Sequence, residues 1–253
     1  MKRLSIVIPA FNEASRLPAT LAAADVFLRS QDEDAEIWVV DDGSVDRTAE
    51  IAEALARELR TPLHVLRCPH RGKGAATAAG MLAAGGNYRF LCDADLAMPF
   101  AELPRFLELA RAGAGVVIGS REAPGARREN EPAHRHFMGR IFNALVRLLA
   151  VPGIQDTQCG YKLFRDEVAR EVFSRVTIPG FAFDVEALYL ARALGHEIRE
   201  LPILWRHHPD SRVRALRHSV EMFGAVLGIR WRALRGAYRL KSARQLHTTA
   251  TRD

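Results

Sequence analysis

With 253 residues, 48% hydrophobic and 26% charged, the chain can bury a large core, which excludes global disorder. Its formal charge of +6 is uneven: Leu204–Lys241 carries nine Arg and Lys against Asp210 and Glu221, so this segment holds +7 and the remainder −1. An anionic partner is therefore expected at the C-terminal segment. The longest apolar stretches, such as Ile141–Val151, fall short of the roughly 18 residues of a spanning helix, and no signal-peptide core is expected ahead of Leu4. Cys68, Cys92 and Cys159 fit neither a disulfide framework nor a zinc knuckle, so a reducing, cytosolic compartment is expected.

Over the first 120 residues two periods alternate. Leu4–Ile8, Glu36–Val40, Leu63–Leu66, Tyr88–Cys92 and Gly115–Ile118 read as short strands, apolar on both faces. Leu17–Arg29, Asp46–Leu59, Gly74–Ala84 and Phe100–Arg111 have helical spacing. This alternation predicts an α/β fold with a mainly parallel sheet flanked by helices, in which ligands collect at the carboxyl ends of the strands. Arg121–His136 is polar and reads as a mobile loop, and His136–Val151 as an amphipathic helix. A strand over Gly160–Phe164, helices over Asp166–Val176 and Asp184–Leu194, and a strand over Glu197–Leu204 follow. Val213–Leu240 reads as a long basic amphipathic helix or helix pair, and Ser242–Asp253 as a disordered tail.

The chemistry-bearing residues stand just after strands. Strand one leaves through Pro9, Phe11, Asn12 and Glu13, which suit a base and ribose or merely a turn into a helix. Asp41 and Asp42 end strand two. A base N–H or ribose hydroxyl would satisfy Asp41, while Asp42, Ser44 or Asp46 could cap the next helix. Strand four ends in Asp93-Ala94-Asp95, whose carboxylates can converge on one cation. Oxygen-only ligands suit Mg2+ or Mn2+, which bridges diphosphate oxygens. His70–Ala76, with Gly72, Lys73 and Gly74, offers either a phosphate site at a helix N-terminus or tight helix packing. It lacks the upstream glycine and the Ser or Thr of a P-loop. His207 and His208 read as surface residues.

Taken together, Ile8–Glu13, Asp41–Ser44, Gly72–Ala76 and Asp93–Asp95 resemble the nucleotide-binding half of family 2 inverting glycosyltransferases with the GT-A fold. Asp156–Phe164, Phe181–Glu186 and Trp205 with Ser211-Arg212-Val213 resemble the dolichyl-phosphate glucosyltransferase and bacterial polyprenyl-phosphate glycosyltransferase branch. The resemblance covers about residues 4 to 235. Two departures stand out: Arg212 replaces the usual lysine, and the anchor that many relatives carry is not seen at either end. The resemblance implies a GT-A domain over 1–205, with a nucleotide-binding half (1–120) and an acceptor half (121–205), followed by a basic amphipathic segment over 206–241.

The same resemblance implies roles. Pro9, Phe11, Glu13 and Asp41 would hold the nucleotide, with Lys73 and Ala94 beside the nucleotide sugar. Asp93 and Asp95 would hold Mg2+ or Mn2+ and the diphosphate. Arg121, Arg140, Arg206 and Arg212 would line the phosphate side, where arginines offer bidentate bonds. Asp156, Gln158, Lys162 and Asp184 would lie on the sugar and acceptor side. The implied reaction moves a hexose, glucose from UDP-glucose by branch resemblance, to a polyprenyl phosphate. That acceptor is already anionic near neutral pH, so Asp184 and Glu186 are assigned to positioning rather than to proton abstraction. The basic segment would touch anionic lipid at the inner face of the membrane, or pack on its own domain or a second subunit. A soluble acceptor is the alternative reading. A nucleic-acid module using the arginine-rich segment is a distant one, since the acidic strand ends would repel phosphates without a metal.

Overall fold

The computed structural model describes residues 4–31, 34–129, 151–206 and 215–238, with all side chains there except those of 215–221 and 223. The expected helix at His136–Val151, with Arg140, lies outside these residues but for Val151, as do His207, His208, Arg212 and the tail.

Seven strands form the main sheet: β1 (Leu4–Ala10), β2 (Ala35–Asp41), β3 (Leu63–Arg67), β4 (Tyr88–Leu91), β5 (Val116–Ser120), β7 (Lys162–Arg165) and β8 (Ile198–Pro202). Their order is β3-β2-β1-β4-β7-β5-β8. All neighbours are parallel except β7, which runs antiparallel to both β4 and β5. A second, two-stranded sheet pairs β6 (Arg127–Glu129) with β9 (Leu204–Arg206). Thus the loop expected at Arg121–His136 contains a strand, and the single strand expected at Glu197–Leu204 is two. Pro202 has no N–H to continue the ladder, and from Ile203 the chain turns to bond Ser120 and Arg127.

The helices are α1 (Leu17–Ser30), α2 (Thr48–Leu55), α3 (Lys73–Ala83), α4 (Leu103–Arg111), α5 (Asp166–Phe173), α6 (Phe183–Ala193) and α7 (Ala215–Leu234). β1 is buried along its whole length, as a strand covered on both faces must be. Its Leu4, Ile6 and Ile8 pack with Leu17 and Leu21 of α1 and Phe106 of α4, while Val7 faces Ala76 and Met81 of α3 on the other side. Each such fully buried side chain stabilises the fold by about 1.5–3 kcal/mol relative to exposure. The spacing Leu17, Leu21, Ala24, Leu28 explains why α1 is a helix docked by one stripe. α5, α6 and α7 share the α3 face.

Candidate functional site

From β1 the chain builds outward to β2 and β3, then returns to the other side of β1 as β4. The gap between the carboxyl ends of β1 and β4 is therefore a topological switch point, where loops diverge and leave a crevice. A cavity of about 520 Å³ opens there, lined by Pro9, Phe11 and Glu13 at the end of β1, by Lys73 at the start of α3, and by Asp93, Ala94 and Asp95 after β4. Seven of the residues singled out in the sequence thus share one cavity. Its far wall comes from Ile178, Gly180 and Phe181 and from Met222 and Ala225 of α7.

The two β4 carboxylates differ in their partners. Asp93 Oδ1 lies 2.6 Å from Lys73 Nζ. Burial pushes the Asp93 carboxyl up, but Lys73 above all, then Lys162 and Arg121, outweigh it and hold Asp93 below the usual range. Burial, then the Asp93 charge, raises Asp95. Asp95 Oδ1 accepts from Ala97 N at 3.1 Å and from the Tyr161 hydroxyl at 3.4 Å. That hydroxyl also accepts from Met98 N at 2.9 Å, so it braces the turn after β4.

The antiparallel direction of β7 places its start at the carboxyl end of β4. Leu91 pairs with Lys162; carrying the register two residues on sets Gly160 against Asp93. A Cβ on Gly160 would stand 1.9 Å from Asp93 Oδ2. Gly160 therefore makes room for the carboxylate, a role the sequence motif alone did not reveal.

At the end of β2 the two adjacent carboxylates face different surroundings. Asp41, expected to hold the nucleotide, is buried, accepts from Ser44 N at 3.3 Å and does not line the cavity. Asp42 lines it instead, while accepting from Arg71 N at 3.0 Å and Gly72 N at 2.9 Å. The direction of each side chain follows from the strand pleat, in which neighbours alternate. His70 Nδ1 lies 2.8 Å from Asp42 Oδ2, and its ring stacks on Phe11 at 4.1 Å. Glu13 is engaged by Arg16, whose Nε is 2.6 Å from Oε2. Asp46 accepts from Thr48 N at 3.0 Å, which starts α2 later than its expected Asp46 boundary.

The glycines of the His70–Ala76 run serve packing. Gly74 N and Ala75 N donate to Pro179 O at 2.7 and 3.2 Å. A Cβ on Gly74 would meet Ile178 O at 2.4 Å, and Gly72 has φ +116 with Pro179 O at 2.6 Å from its virtual Cβ. The first N–H groups of α3 thus meet a carbonyl of the cavity wall, and Lys73 is what this segment presents to a ligand.

The acceptor-half residues form buried pairs beside the cavity rather than lining it. Asp156, fully buried, accepts from Arg121 N, Nε and Nη2 at 2.9, 2.7 and 2.9 Å. Burial works against its ionisation, but the Arg121 charge and hydrogen bonds draw its pKa down to about 2. Arg121 also lies over the Trp205 ring, 5.4 Å from its centroid. Lys162 Nζ is 2.5 Å from Asp184 Oδ1, both buried, and it also donates to Cys159 O. Burial nonetheless raises Asp184. Gln158 has a buried Nε2 with no hydrogen-bond partner among the described residues. Arg206, expected on the phosphate side, lines a separate cavity with Phe27 and Phe100 and pairs with Glu129 at 2.9 Å.

Glu186, fully buried, organises the far wall. It accepts from Thr177 N at 2.8 Å, Thr177 Oγ1 at 2.7 Å, Ile178 N at 2.7 Å and Tyr238 OH at 2.8 Å. Arg232 of α7 reaches Thr177 Oγ1 at 2.9 Å. The expected amphipathic stripe therefore divides. Val226, Ile229 and Tyr238 pack on the domain, while Leu227, Trp231 and Leu234 are exposed beside Arg230 and Arg235. Among the described residues no helix is long and apolar enough to cross a membrane.

Among the described residues, no cluster of three or more His, Cys, Asp or Glu could hold a metal ion. Two cavity-facing carboxylates nevertheless fit Mg2+ or Mn2+, which commonly takes one or two protein carboxylates and completes its shell with phosphate oxygens and water.

A model described as glycosyl transferase family 2 matches residues 5–173. A dolichyl-phosphate beta-glucosyltransferase of Dictyostelium discoideum is 35% identical, covering 94% of this chain and 77% of that protein. The namesake enzyme of Homo sapiens is 33% identical over 97% and 80%. Among solved structures, glucosyl-3-phosphoglycerate synthase of Mycobacterium tuberculosis, in complex with Mn2+, uridine diphosphate and phosphoglyceric acid, matches with a TM-score of 0.67 at 19% identity. The match covers 90% of this chain and 77% of that one, and at this identity it shows the shared fold.

Proposed function

The chain belongs to glycosyltransferase family 2, and from that premise we propose that it transfers glucose from UDP-glucose to the phosphate of a polyprenyl phosphate. The relatives' names suggest the acceptor class, and the solved neighbours, studied in complex with UDP-glucose and Mn2+, suggest the donor and the cation.

One observation carries the choice of a phosphate over a hydroxyl acceptor. The other carboxylates at the site are committed: Asp42 to the 70–72 backbone and His70, Asp184 to Lys162, Glu186 to Thr177, Ile178 and Tyr238, and Glu13 to Arg16. None of these is poised to take a proton from a sugar hydroxyl. A phosphate monoester, with a second pKa near 6, needs no such base.

In this reading Pro9 and Phe11 flank the base, and Lys73 offers its ammonium to the diphosphate. Asp93 and Asp95 would hold Mg2+ or Mn2+, which neutralises charge on the departing diphosphate when bound. Arg121, held by Asp156 and Trp205, adds positive charge beside the cavity where the second anion would approach. Catalysis then rests on alignment and charge. In-line attack by the acceptor oxygen inverts the anomeric carbon and gives a β-linked product. The exposed Leu227, Trp231 and Leu234, flanked by Arg230 and Arg235, would rest on the anionic inner face of the membrane, each basic residue adding about 1 kcal/mol.

The test is transfer of label from UDP-[14C]glucose, with Mn2+, to a detergent-dispersed polyprenyl phosphate or to water-soluble phosphorylated acceptors. Organic-extractable label supports the reading. Label confined to water-soluble product overturns the lipid acceptor, and no transfer from UDP-glucose while GDP-hexoses react overturns the donor.

A further inference from the structure

We infer that Lys73 is an internal cation that competes with the divalent ion for Asp93 and leaves that carboxylate most readily when a donor diphosphate offers it a second partner. This rests on the metal assignment made under the proposed function and deepens it.

Three observations carry the inference. Asp93 has one oxygen against β7: its Oδ2 fills the space where a Gly160 Cβ would stand, 1.9 Å away. The other oxygen, Oδ1, is 2.6 Å from Lys73 Nζ. One oxygen is therefore packed against Gly160, and the other is covered by an ammonium. Lys73 cannot yield by moving its backbone, because Gly74 N and Ala75 N are fastened to Pro179 O and Thr77 Oγ1 donates to Lys73 O at 2.8 Å. Only the side chain is free to swing, and it already lines the cavity in which a diphosphate would sit. Asp184, the neighbouring acid, is occupied by Lys162, so a displaced Lys73 has no other paired site within the protein.

The consequence is a linkage. A cation arriving alone must expel an ammonium into a cavity whose other carboxylates are already engaged, Glu13 by Arg16, Asp42 by Gly72 N and His70, and Asp95 by Ala97 N and the cation itself. A cation arriving with a diphosphate gives Lys73 a new partner. Donor and cation then each tighten the other by the same factor, as reciprocity requires. The device also limits the two carboxylates' mutual repulsion while the site is empty.

Binding of Mn2+ alone, read from the electron paramagnetic resonance of the free ion, tests this without turnover. Removing one positive charge in contact with the ligand carboxylate is expected to tighten Mn2+ binding in Lys73→Gln by at least about tenfold over wild type. Lys73→Arg keeps the charge and is expected to stay within about threefold. Equal or weaker Mn2+ binding by a folded Lys73→Gln overturns the inference. A second measurement uses the wild-type chain: acetic anhydride labelling of Lys73, followed by peptide mass spectrometry, should rise with Mn2+ and fall again when UDP is added. Labelling indifferent to Mn2+ overturns the inference even where Lys73→Gln does not fold. The parallel variants Asp93→Asn and Asp95→Ala separate the two layers. If they leave Mn2+ binding intact, the metal assignment itself fails; if they abolish it while Lys73→Gln gains nothing, only the exchange fails.

Discussion

Gly160→Ala puts the smallest possible side chain where the structure has no room. The added Cβ would stand 1.9 Å from Asp93 Oδ2 and 2.4 Å from Cγ, whereas real Cβ contacts begin near 3.0 Å, so carboxylate and strand must part by about 1.1 Å. Gly160 has no positive φ, so alanine costs nothing in backbone conformation and the effect is one of space. Overpacking of this kind costs about 1–3 kcal/mol, which for a domain of this size lowers Tm by about 2–4 °C per kcal/mol. The larger effect falls on function: displacing a ligand-aligning group by 1 Å costs about 10²-fold. Steady-state kcat/KM for the donor and Mn2+ affinity are the readouts. Gly224→Ala, where nothing among the described residues lies within 4 Å of the new Cβ, is the control and should be neutral or slightly stabilising. A Gly160→Ala enzyme with wild-type kcat/KM and wild-type Mn2+ affinity would refute the claim that this glycine sets the position of Asp93.

Asp156→Asn should lose about 2 kcal/mol at pH 7, because the folded pKa of about 2 lies below the ordinary 3.8. A depressed pKa means that this stability is present above about pH 4 and drains away as pH falls toward 2, so the variant's acid limb should be flatter there by urea denaturation. Identical pH profiles would contradict the Arg121–Asp156 assignment. Glu186→Gln removes a charged acceptor for the Thr177 and Ile178 amides, at about 1.5–3 kcal/mol for such bonds. Exchange of those two amides with deuterium should accelerate at least tenfold, and unchanged protection would show that Glu186 does not hold the cavity wall. Trp231→Ser combined with Leu234→Ser should reduce flotation with anionic liposomes by more than about tenfold. Equal flotation removes the membrane face from α7.

The five leading strands were legible because a strand buried on both faces is written as an unbroken apolar run, and the acidic pairs after strands two and four marked the ligand edge. What was not legible depended on pairing between distant segments. Lys162–Arg165 is too short to announce its direction, yet only its antiparallel course brings Gly160 and Tyr161 to Asp93 and Asp95. Asp41 and Asp42 are chemically alike, and which one faces the cavity depends on the pleat at the end of β2. The C-terminal stripe is wider than one interface needs, so sequence could not apportion Val226 and Tyr238 to the domain and Trp231 to the outside. Glu186 did leave a signal: a second acid, two residues after Asp184, at the head of an apolar helix. Its partners Thr177, Ile178 and Tyr238 lie up to 52 residues away.

The central claim is that Asp93 and Asp95, by holding a divalent ion, let two phosphorylated molecules meet productively. Titrating Mn2+ into the glucosyl-transfer assay for wild type and a folded Asp95→Ala variant measures this most directly. Wild type is expected to show no turnover without the ion, and the variant a loss of about 10²-fold or more at saturating Mn2+. Cation-dependent turnover near the wild-type rate in Asp95→Ala would contradict it.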